Sequence, residues 1–103
     1  MSGAERIAAE RARQINTEGW SSGHDDQQDD EELAKAAAIY ATPDHWRLYR
    51  GIVRRSDAVP AEWPWDAEWW KPCPKDRIKE LTKAGALIAA EIDRLLRRTT
   101  GDK

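Results

Sequence analysis

Residues 77–98 read RIKELTKAGALIAAEIDRLLRR, which is the clearest helical pattern in the chain. Its apolar positions are separated by three, four, three, four and three residues, the spacing of one helix face over nearly three heptads. This apolar seam consists of Ile78, Leu81, Gly85, Ile88, Ile92 and Leu95. Ala in place of Gly85 would favour a helix by about 1 kcal/mol, so we expect another backbone or a Trp ring to lie against this glycine.

Two further helices are predicted in the first half of the chain. The stretch from Glu5 to Thr17 has no Pro or Gly and is rich in helix-forming residues, although its apolar stripe is thin. A second helix is predicted from Glu31 to Ala41, because its apolar residues recur at i, i+3, i+4 and i+7. Asp29 or Asp30 is the expected N-cap, with Glu32 completing a capping box after Asp29.

Two connections between these helices are also predicted. The stretch GWSSGHDD, residues 19–26, is rich in Gly and Ser and is expected to form a loop. Pro43 ends the second helix and starts a short third one. On this third helix we expect Trp46, Tyr49 and Val53 to share one face.

The segment from Ala58 to Pro74, here called the Pro/Trp flap, holds four prolines and four of the six tryptophans. Each proline removes a backbone donor and fixes φ, so neither a long helix nor a central strand fits this segment. We expect a rigid, extended chain with at most one short helical turn at Asp66 to Trp70. The four rings of the flap are Trp63, Trp65, Trp69 and Trp70.

Together these elements predict an all-α fold. No alternating apolar pattern is long enough for a strand, and the chain is long enough for a single small domain. We therefore predict one domain over residues 1–103, a small bundle of three to four helices with the flap between the last two. Residues 1–4 and 99–103 are expected to fray.

Composition excludes several classes of protein. The 103 residues include one Cys, so neither an intramolecular disulfide nor a Cys-rich zinc module can form. No run approaches 18 apolar residues and the N-terminus is charged, so we expect a soluble protein of the bacterial cytoplasm with no membrane partner. The net charge is −2 and the basic residues are scattered among acids, which disfavours a nucleic-acid binder.

Six acids lie together in HDDQQDDEE, residues 24–32. Carboxylates are the ligands that Mg²⁺ and Mn²⁺ prefer, and Mg²⁺ keeps waters that a phosphate substrate can replace. The candidate metal ligands are Asp25, Asp26, Asp29 and Glu32. The alternative is that these acids stay in water and stabilise the positive end of the following helix.

The Pro/Trp flap is also a candidate stacking platform for a planar ligand. Tryptophan rings stack on purines, and a lysine close by can meet a phosphate. The candidate ligand-binding residues are Trp20, His24, Trp69, Trp70, Lys71 and Lys83. The alternative is a proline-braced cover over the core, but two adjacent rings cannot both point the same way, so at least one should be exposed.

Four stretches of the chain form a recognisable pattern: AERARQINTEGW, HDDQQDDEELAKAAAIYA, WPWDAEWWKP and RIKELTKAGALIAAEIDRL. The pattern resembles a widespread family of small proteins carried by bacteriophages and prophages, and it covers nearly the whole chain. WPW…WWKP is a specific signature within it. The resemblance implies a phage-encoded accessory protein.

The same skeleton is more distantly similar to the MazG-like all-α NTP pyrophosphatases, which implies Mg²⁺ and a nucleoside triphosphate substrate. Those enzymes carry ExxE on one helix and ExxD on the next, since a spacing of three puts both carboxylates on one face. Asp29 and Glu32 imitate the first pair, whereas Glu91 and Asp93 are two residues apart and do not match the second. This departure favours nucleotide binding over catalysis.

These patterns lead to three hypotheses of function. The first is that the chain binds a nucleotide or a nucleotide-derived signal and sequesters it against a host defence. The second is a Mg²⁺-dependent nucleotide pyrophosphohydrolase, and the third is an inhibitor that binds a host defence protein through an exposed Trp patch. A thin first helix, a long seam and excess Trp also predict a homo-oligomer, because they give more apolar surface than one bundle hides.

Overall fold

The computed structural model describes residues 1–53 and 58–101, and over these ranges the chain is all-helical, with no strand. This confirms the predicted fold class. The helices are α1 (Gly3–Asn16), α2 (Ser22–Asp26), α3 (Glu32–Ala41), α4 (Asp44–Tyr49) and α5 (Arg77–Gly101), with one 3₁₀ turn at Ala67–Trp69. Within the same ranges, none of the helices has the length and apolar character needed to cross a bilayer.

Helix α5 packs against both α1 and α3. The predicted apolar face of α3 is confirmed, because Leu33, Ala36 and Ala37 are at most 1% exposed. The small alanines let α3 approach α5 closely, and there they belong to one core with Ala84 and Leu87. The rest of this core comes from Ile39, Tyr40, Trp63 and Ala90.

The apolar seam of α5 faces outward. Its large side chains are 42 to 60% exposed, namely Ile78, Leu81, Ile88, Ile92 and Leu95. The buried face of the helix is built instead from small and charged residues such as Ala84, Glu80 and Glu91. Gly85 does have a close neighbour, but it is the side chain of Ile7 from α1 and not a backbone or a Trp ring.

The start of α3 differs from the prediction. Its N-cap is Glu31, which adopts a left-handed conformation with φ of 58° and makes no side-chain cap bond. The predicted capping box between Asp29 and Glu32 is therefore wrong. Glu32 instead accepts the backbone N–H of Asp30 at 2.7 Å, so the acid stabilises the turn before the helix.

The chain contains more helix than the sequence predicts. A reciprocal capping box between Ser2 and Glu5 starts α1, and α5 continues to Gly101, so residues 3–4 and 99–101, which were expected to fray, are helical. Residues 102–103 lie outside the described residues. Ser21 caps α2 within the predicted loop, so the described part of the chain holds five α-helices instead of three or four.

Helix α4 presents its aromatic side chains to solvent. Trp46 and Tyr49 are 43% and 80% exposed and contact each other edge to face, with ring centroids 5.4 Å apart. Val53 is buried, but it lies beyond the end of α4. The expected common face of these three residues is therefore wrong, and the inward side chain of α4 is Arg47.

Candidate functional site

The Pro/Trp flap is extended and contains a single 3₁₀ turn, as predicted. Hydrogen bonds from its backbone fix it to the helices. The N–H of Lys71 donates to the Tyr40 hydroxyl at 3.0 Å, and the N–H of Cys73 donates to the buried Glu80 carboxylate at 2.9 Å. Glu80 also accepts from Arg77 at 3.0 Å, so one carboxylate ties the flap to the start of α5.

A cavity of about 390 Å³, here called the Trp cavity, lies between the flap, α1 and α5. This volume falls in the range of small-molecule sites. Five aromatic rings form much of its wall: Trp20, Tyr40, Trp63, Trp65 and Trp69. Because these rings come from three separate parts of the chain, the cavity exists only in the folded protein.

The charged side chains of the Trp cavity leave it positive. Arg13 donates to Glu10 and to Glu18, each at 2.8 Å, so both acids are already paired. The hydrogen bond from Arg13 also holds the pKa of Glu10 below its usual value, which keeps this carboxylate ionised and bound to the guanidinium. The remaining charges on the wall are the lysines Lys71, Lys79 and Lys83. Such a cavity favours an anionic ligand.

Lys83 is the most enclosed of these lysines. Its Nζ atom donates to the backbone carbonyl of Lys71 at 2.9 Å and lies 5.4 Å from the centre of the Tyr40 ring. Burial lowers the pKa of Lys83, and the positive charge of Lys79 acts in the same direction. An ammonium held in this way has lost part of its water and interacts strongly with an incoming anion.

Gln14 places a buried hydrogen-bond acceptor at the Trp cavity. Its side chain is 2% exposed, and its Nε2 atom donates to the Glu10 carboxylate at 3.4 Å. A carboxylate can only accept, so the amide nitrogen must face Glu10 and the amide oxygen faces away. This Oε1 atom has no donor among the described residues.

A second cavity of about 330 Å³ lies beside the first. The two share Trp20, Trp65 and Trp69, so one wall of rings separates them. His24 lines the second cavity and stacks on Trp20 at 5.5 Å, with the ring planes 10° apart. Its Nδ1 atom is 3.0 Å from the Asp25 carboxylate, which orients the imidazole.

The structure brings together four of the six predicted ligand-binding residues. Trp20, Trp69, Lys71 and Lys83 line the Trp cavity, and His24 lines the adjacent one. Trp70 instead packs into the core, with its ring 4.9 Å from Tyr40 and 5.0 Å from Trp63. Trp69 is 40% exposed, which confirms that one of the two adjacent rings faces outward.

The predicted metal ligands point to separate partners. Asp25 is completely buried and pairs with Arg11 at 2.7 Å, whereas Asp26 pairs with Arg97 at 2.7 Å and Asp29 is exposed. Glu32 binds the backbone before α3, as described above. Within residues 1–53 and 58–101, no group of three or more His, Cys, Asp or Glu side chains is placed to hold a metal ion.

Sequence reasoning missed the contribution of α1 to the cavity. Glu10, Arg13 and Gln14 stand at i, i+3 and i+4, which places them on one helix face. A polar side chain on the inward face of a thin apolar stripe is the signal that could have found Gln14. Comparison with protein-family models, curated proteins and solved structures found no match to this chain. The resemblances to phage-borne and MazG-like proteins therefore stay predictions.

Proposed function

We propose that the chain binds a nucleotide or a nucleotide-derived signal in the Trp cavity and acts by sequestering it. The observation that carries this proposal is the combination of an aromatic wall with three lysines around one cavity of about 390 Å³. A planar base and a negatively charged phosphate are the two groups that such a wall recognises.

Trp69 is the expected stacking surface for the base. Its ring is 40% exposed, and Trp20 meets it edge to face with centroids 6.4 Å apart. The edge contact orients the Trp69 ring, and its exposure leaves part of the ring accessible to a base. Stacking of a base on such a ring contributes about 1–3 kcal/mol and tolerates different bases.

The lysines supply the contacts for phosphate. Lys71 lies over the Trp69 ring at 5.6 Å, and Lys83 lies over Tyr40 at 5.4 Å. Lys71 is therefore close to the exposed ring on which a base can stack, and Lys83 lines the same cavity. This juxtaposition suits a ligand whose base and phosphate are joined by a short sugar linker.

Gln14 favours a base that offers an N–H group. Its amide oxygen is a buried acceptor without a donor, and leaving such a group unpaired is unfavourable. The oxygen is closed to water, so a base amino group reaches it once the Gln14 amide turns toward the cavity, and the hydrogen bond formed then removes the penalty. The proposed ligand class is therefore a nucleotide with an exocyclic amine or ring N–H.

The state of the acids supports sequestration over hydrolysis. Glu10 and Glu18 are engaged by Arg13, and Asp25 is engaged by Arg11. Carboxylates that are engaged by guanidinium groups are poor candidates for general bases, and the hydrogen bond from Arg13 holds the pKa of Glu10 below its usual value. Together with the resemblance to phage-borne proteins, this leads us to propose a protein that withholds a nucleotide signal from a host defence.

Calorimetric titration against a panel of mono-, di-, tri- and cyclic nucleotides tests the proposal. Trp69→Ala should weaken binding by about fivefold to 100-fold, since it removes stacking worth about 1–3 kcal/mol. Trp46→Ala is the matched control, because this ring is 43% exposed but lies on α4 away from the cavity. Absence of heat with every nucleotide, or equal losses in both variants, would overturn the proposal.

The fate of the bound nucleotide separates sequestration from catalysis. The nucleotide is incubated with the protein and Mg²⁺ or Mn²⁺, and the mixture is then separated by chromatography. Sequestration predicts that the nucleotide is recovered intact. Release of pyrophosphate that disappears in Glu32→Ala would instead establish the pyrophosphohydrolase.

A further inference from the structure

The second cavity, beside the Trp cavity, takes no part in the proposed function. Its volume of about 330 Å³ lies within the range of small-molecule sites by itself. It shares Trp20, Trp65 and Trp69 with the Trp cavity, so the two are neighbours across one wall of rings. We propose that the ligand is a dinucleotide, with one base in the Trp cavity and the other base in the second cavity. This inference rests on the proposed function, because it names the class of nucleotide that the site takes.

The two cavities differ in charge, and the difference assigns the phosphates to one of them. The Trp cavity holds three lysines, whereas among the described residues no lysine or arginine lines the second cavity. The ionisable side chains of the second cavity are His24 and Asp66, and Asp66 is exposed. A phosphate placed there would face the Asp66 carboxylate, and like charges at close range are unfavourable. An uncharged base meets aromatic rings and hydrogen-bonding groups instead, so the second cavity suits a base.

Trp69 is placed to lie between the two bases. It lines both cavities, and its side chain is 40% exposed. Proteins that bind nucleic acids insert side chains between neighbouring bases and part them. Neighbouring nucleotides of one strand follow each other at about 3.4 Å, so one inserted ring separates two bases by roughly 7 Å. A dinucleotide parted in this way can place a base in each of the two cavities that meet at Trp69, which the single base of a mononucleotide cannot do.

Lys71 supplies a cation for the phosphodiester that joins the two nucleotides. Its Nζ atom lies 5.6 Å from the centre of the Trp69 ring. The linking phosphate has to pass the ring that parts the bases, so it comes near this ammonium. Lys71 is exposed, and its flexible side chain can follow the phosphate along the edge of the ring.

His24 offers the second base a hydrogen-bond acceptor. Its Nδ1 atom is 3.0 Å from the carboxylate of Asp25, which is completely buried. A carboxylate can only accept, so Nδ1 carries the proton and Nε2 of the neutral ring is an acceptor. Among residues 1–53 and 58–101, none donates to this Nε2 atom. The ring itself is held by stacking on Trp20, so a base amino group in the second cavity meets an acceptor of fixed orientation.

Calorimetric titration with three adenine ligands tests the inference on the full chain. They are AMP, the dinucleotide of two adenosines with a terminal phosphate, and adenosine bisphosphate, which has a second phosphate but a single base. The dinucleotide should bind about fivefold to 100-fold more tightly than adenosine bisphosphate, because it stacks one more base. The corresponding guanine ligands are titrated in parallel.

His24→Gln distinguishes the second cavity from the first. A glutamine amide keeps a donor for the buried Asp25 but removes the imidazole ring, so the affinity for the dinucleotide should fall at least fivefold more than the affinity for AMP. His45→Gln is the matched control, because His45 is exposed on α4 and lines neither cavity. If His24→Gln fails to fold, Asp66→Trp replaces it, since a bulky ring at this exposed position of the wall would fill the second cavity.

Two results would overturn the inference and leave the proposed function standing. One is equal affinity for the dinucleotide and for adenosine bisphosphate, which would mean that the second base adds nothing. The other is an equal loss of affinity for AMP and for the dinucleotide in His24→Gln. Absence of heat with every adenine and guanine ligand would also overturn the inference, and the proposed function would then depend on the other nucleotides of its own panel.

Discussion

Lys83 on α5 donates to the backbone carbonyl of Lys71 in the Pro/Trp flap at 2.9 Å. One ammonium group therefore connects the longest helix to the flap and at the same time forms part of the Trp cavity wall. Folding has already removed part of the water around the Lys83 ammonium. A phosphate that binds there therefore has less of this water to displace. The flap and the anion contact are consequently coupled through this one side chain.

The pH dependence of nucleotide binding should reveal the contribution of the Lys83 charge to the binding of the phosphate. Burial lowers its pKa below 10.5, so binding of an anion, which requires the charged form, is complete below that lowered pKa and is lost as the pH rises through it. In Lys83→Arg the cation stays charged across this range, because guanidinium pKa values exceed about 12. Titrations from about pH 7 to about pH 10 should show a loss of affinity in the wild type that is absent or smaller in Lys83→Arg. Identical slopes would contradict the assignment.

Gln14→Met should weaken nucleotide binding while leaving the stability of the fold nearly unchanged. Methionine keeps the length of the side chain and removes the buried oxygen that lacks a donor, so the free energy of unfolding should change by less than about 1 kcal/mol. Affinity for an amino-bearing base should fall by about tenfold, the equivalent of about 1.4 kcal/mol, through loss of one hydrogen bond. Chemical denaturation and calorimetry measure the two quantities. Gln27→Met, at an exposed position, is the control, and equal affinities for the two variants would refute the role of Gln14.

The fold could be predicted from the sequence wherever periodicity coincides with burial. The apolar face of α3 is both periodic and buried, so its bounds differ by one residue from those predicted. Periodicity in α5 identifies an apolar face but not what covers it. The face of α5 that packs on α3 contains Glu80 and Arg94, and their burial is offset by ion pairs with Arg47 and Glu91. All four side chains are at most 5% exposed, and each is buried next to an oppositely charged partner that a hydrophobic pattern does not register.

In the candidate site, too, some residues could be predicted from the sequence and others could not. Trp69 and Lys71 were predictable because bulky rings and a cation stand side by side in a proline-rich segment. Glu10, Arg13 and Gln14 were not, because each is an ordinary residue on a helix until the tertiary fold brings the flap over it. Trp69 and Trp70 were both candidates, because sequence shows that two adjacent rings diverge but not which of them turns inward, and in the structure Trp70 is the ring that packs against the core.

Glu80→Gln should destabilise the protein strongly. The carboxylate is completely buried between Arg47 and Arg77, each at 3.0 Å, and an amide would remove the nearest counter-charge of both cations, although Asp44 lies 3.6 Å from Arg47. Removal of one member of a buried ionic cluster typically costs about 3–5 kcal/mol. Glu62→Gln, at an exposed position in the flap, should change the free energy of unfolding by less than about 0.5 kcal/mol. Urea denaturation of both variants measures the difference, and equal midpoints would show that Glu80 does not hold the flap.

Gly85→Ala should have opposite effects in two backgrounds. A Cβ atom at residue 85 would overlap Cδ1 of Ile7 and lie 2.7 Å from its Cγ1, and turning the end of the Ile7 side chain does not move Cγ1. Overpacking of this kind costs about 1–3 kcal/mol, which exceeds the gain of about 1 kcal/mol from replacing Gly in a helix.

In the Ile7→Ala background the obstructing atoms are gone, so only the helix gain remains. Gly85→Ala should then raise the free energy of unfolding by about 1 kcal/mol, whereas in the wild type it should lower it by a similar amount. A double-mutant cycle from urea denaturation measures the coupling between the two positions. A coupling energy near zero would mean that α1 and α5 do not meet at Gly85 in the folded protein.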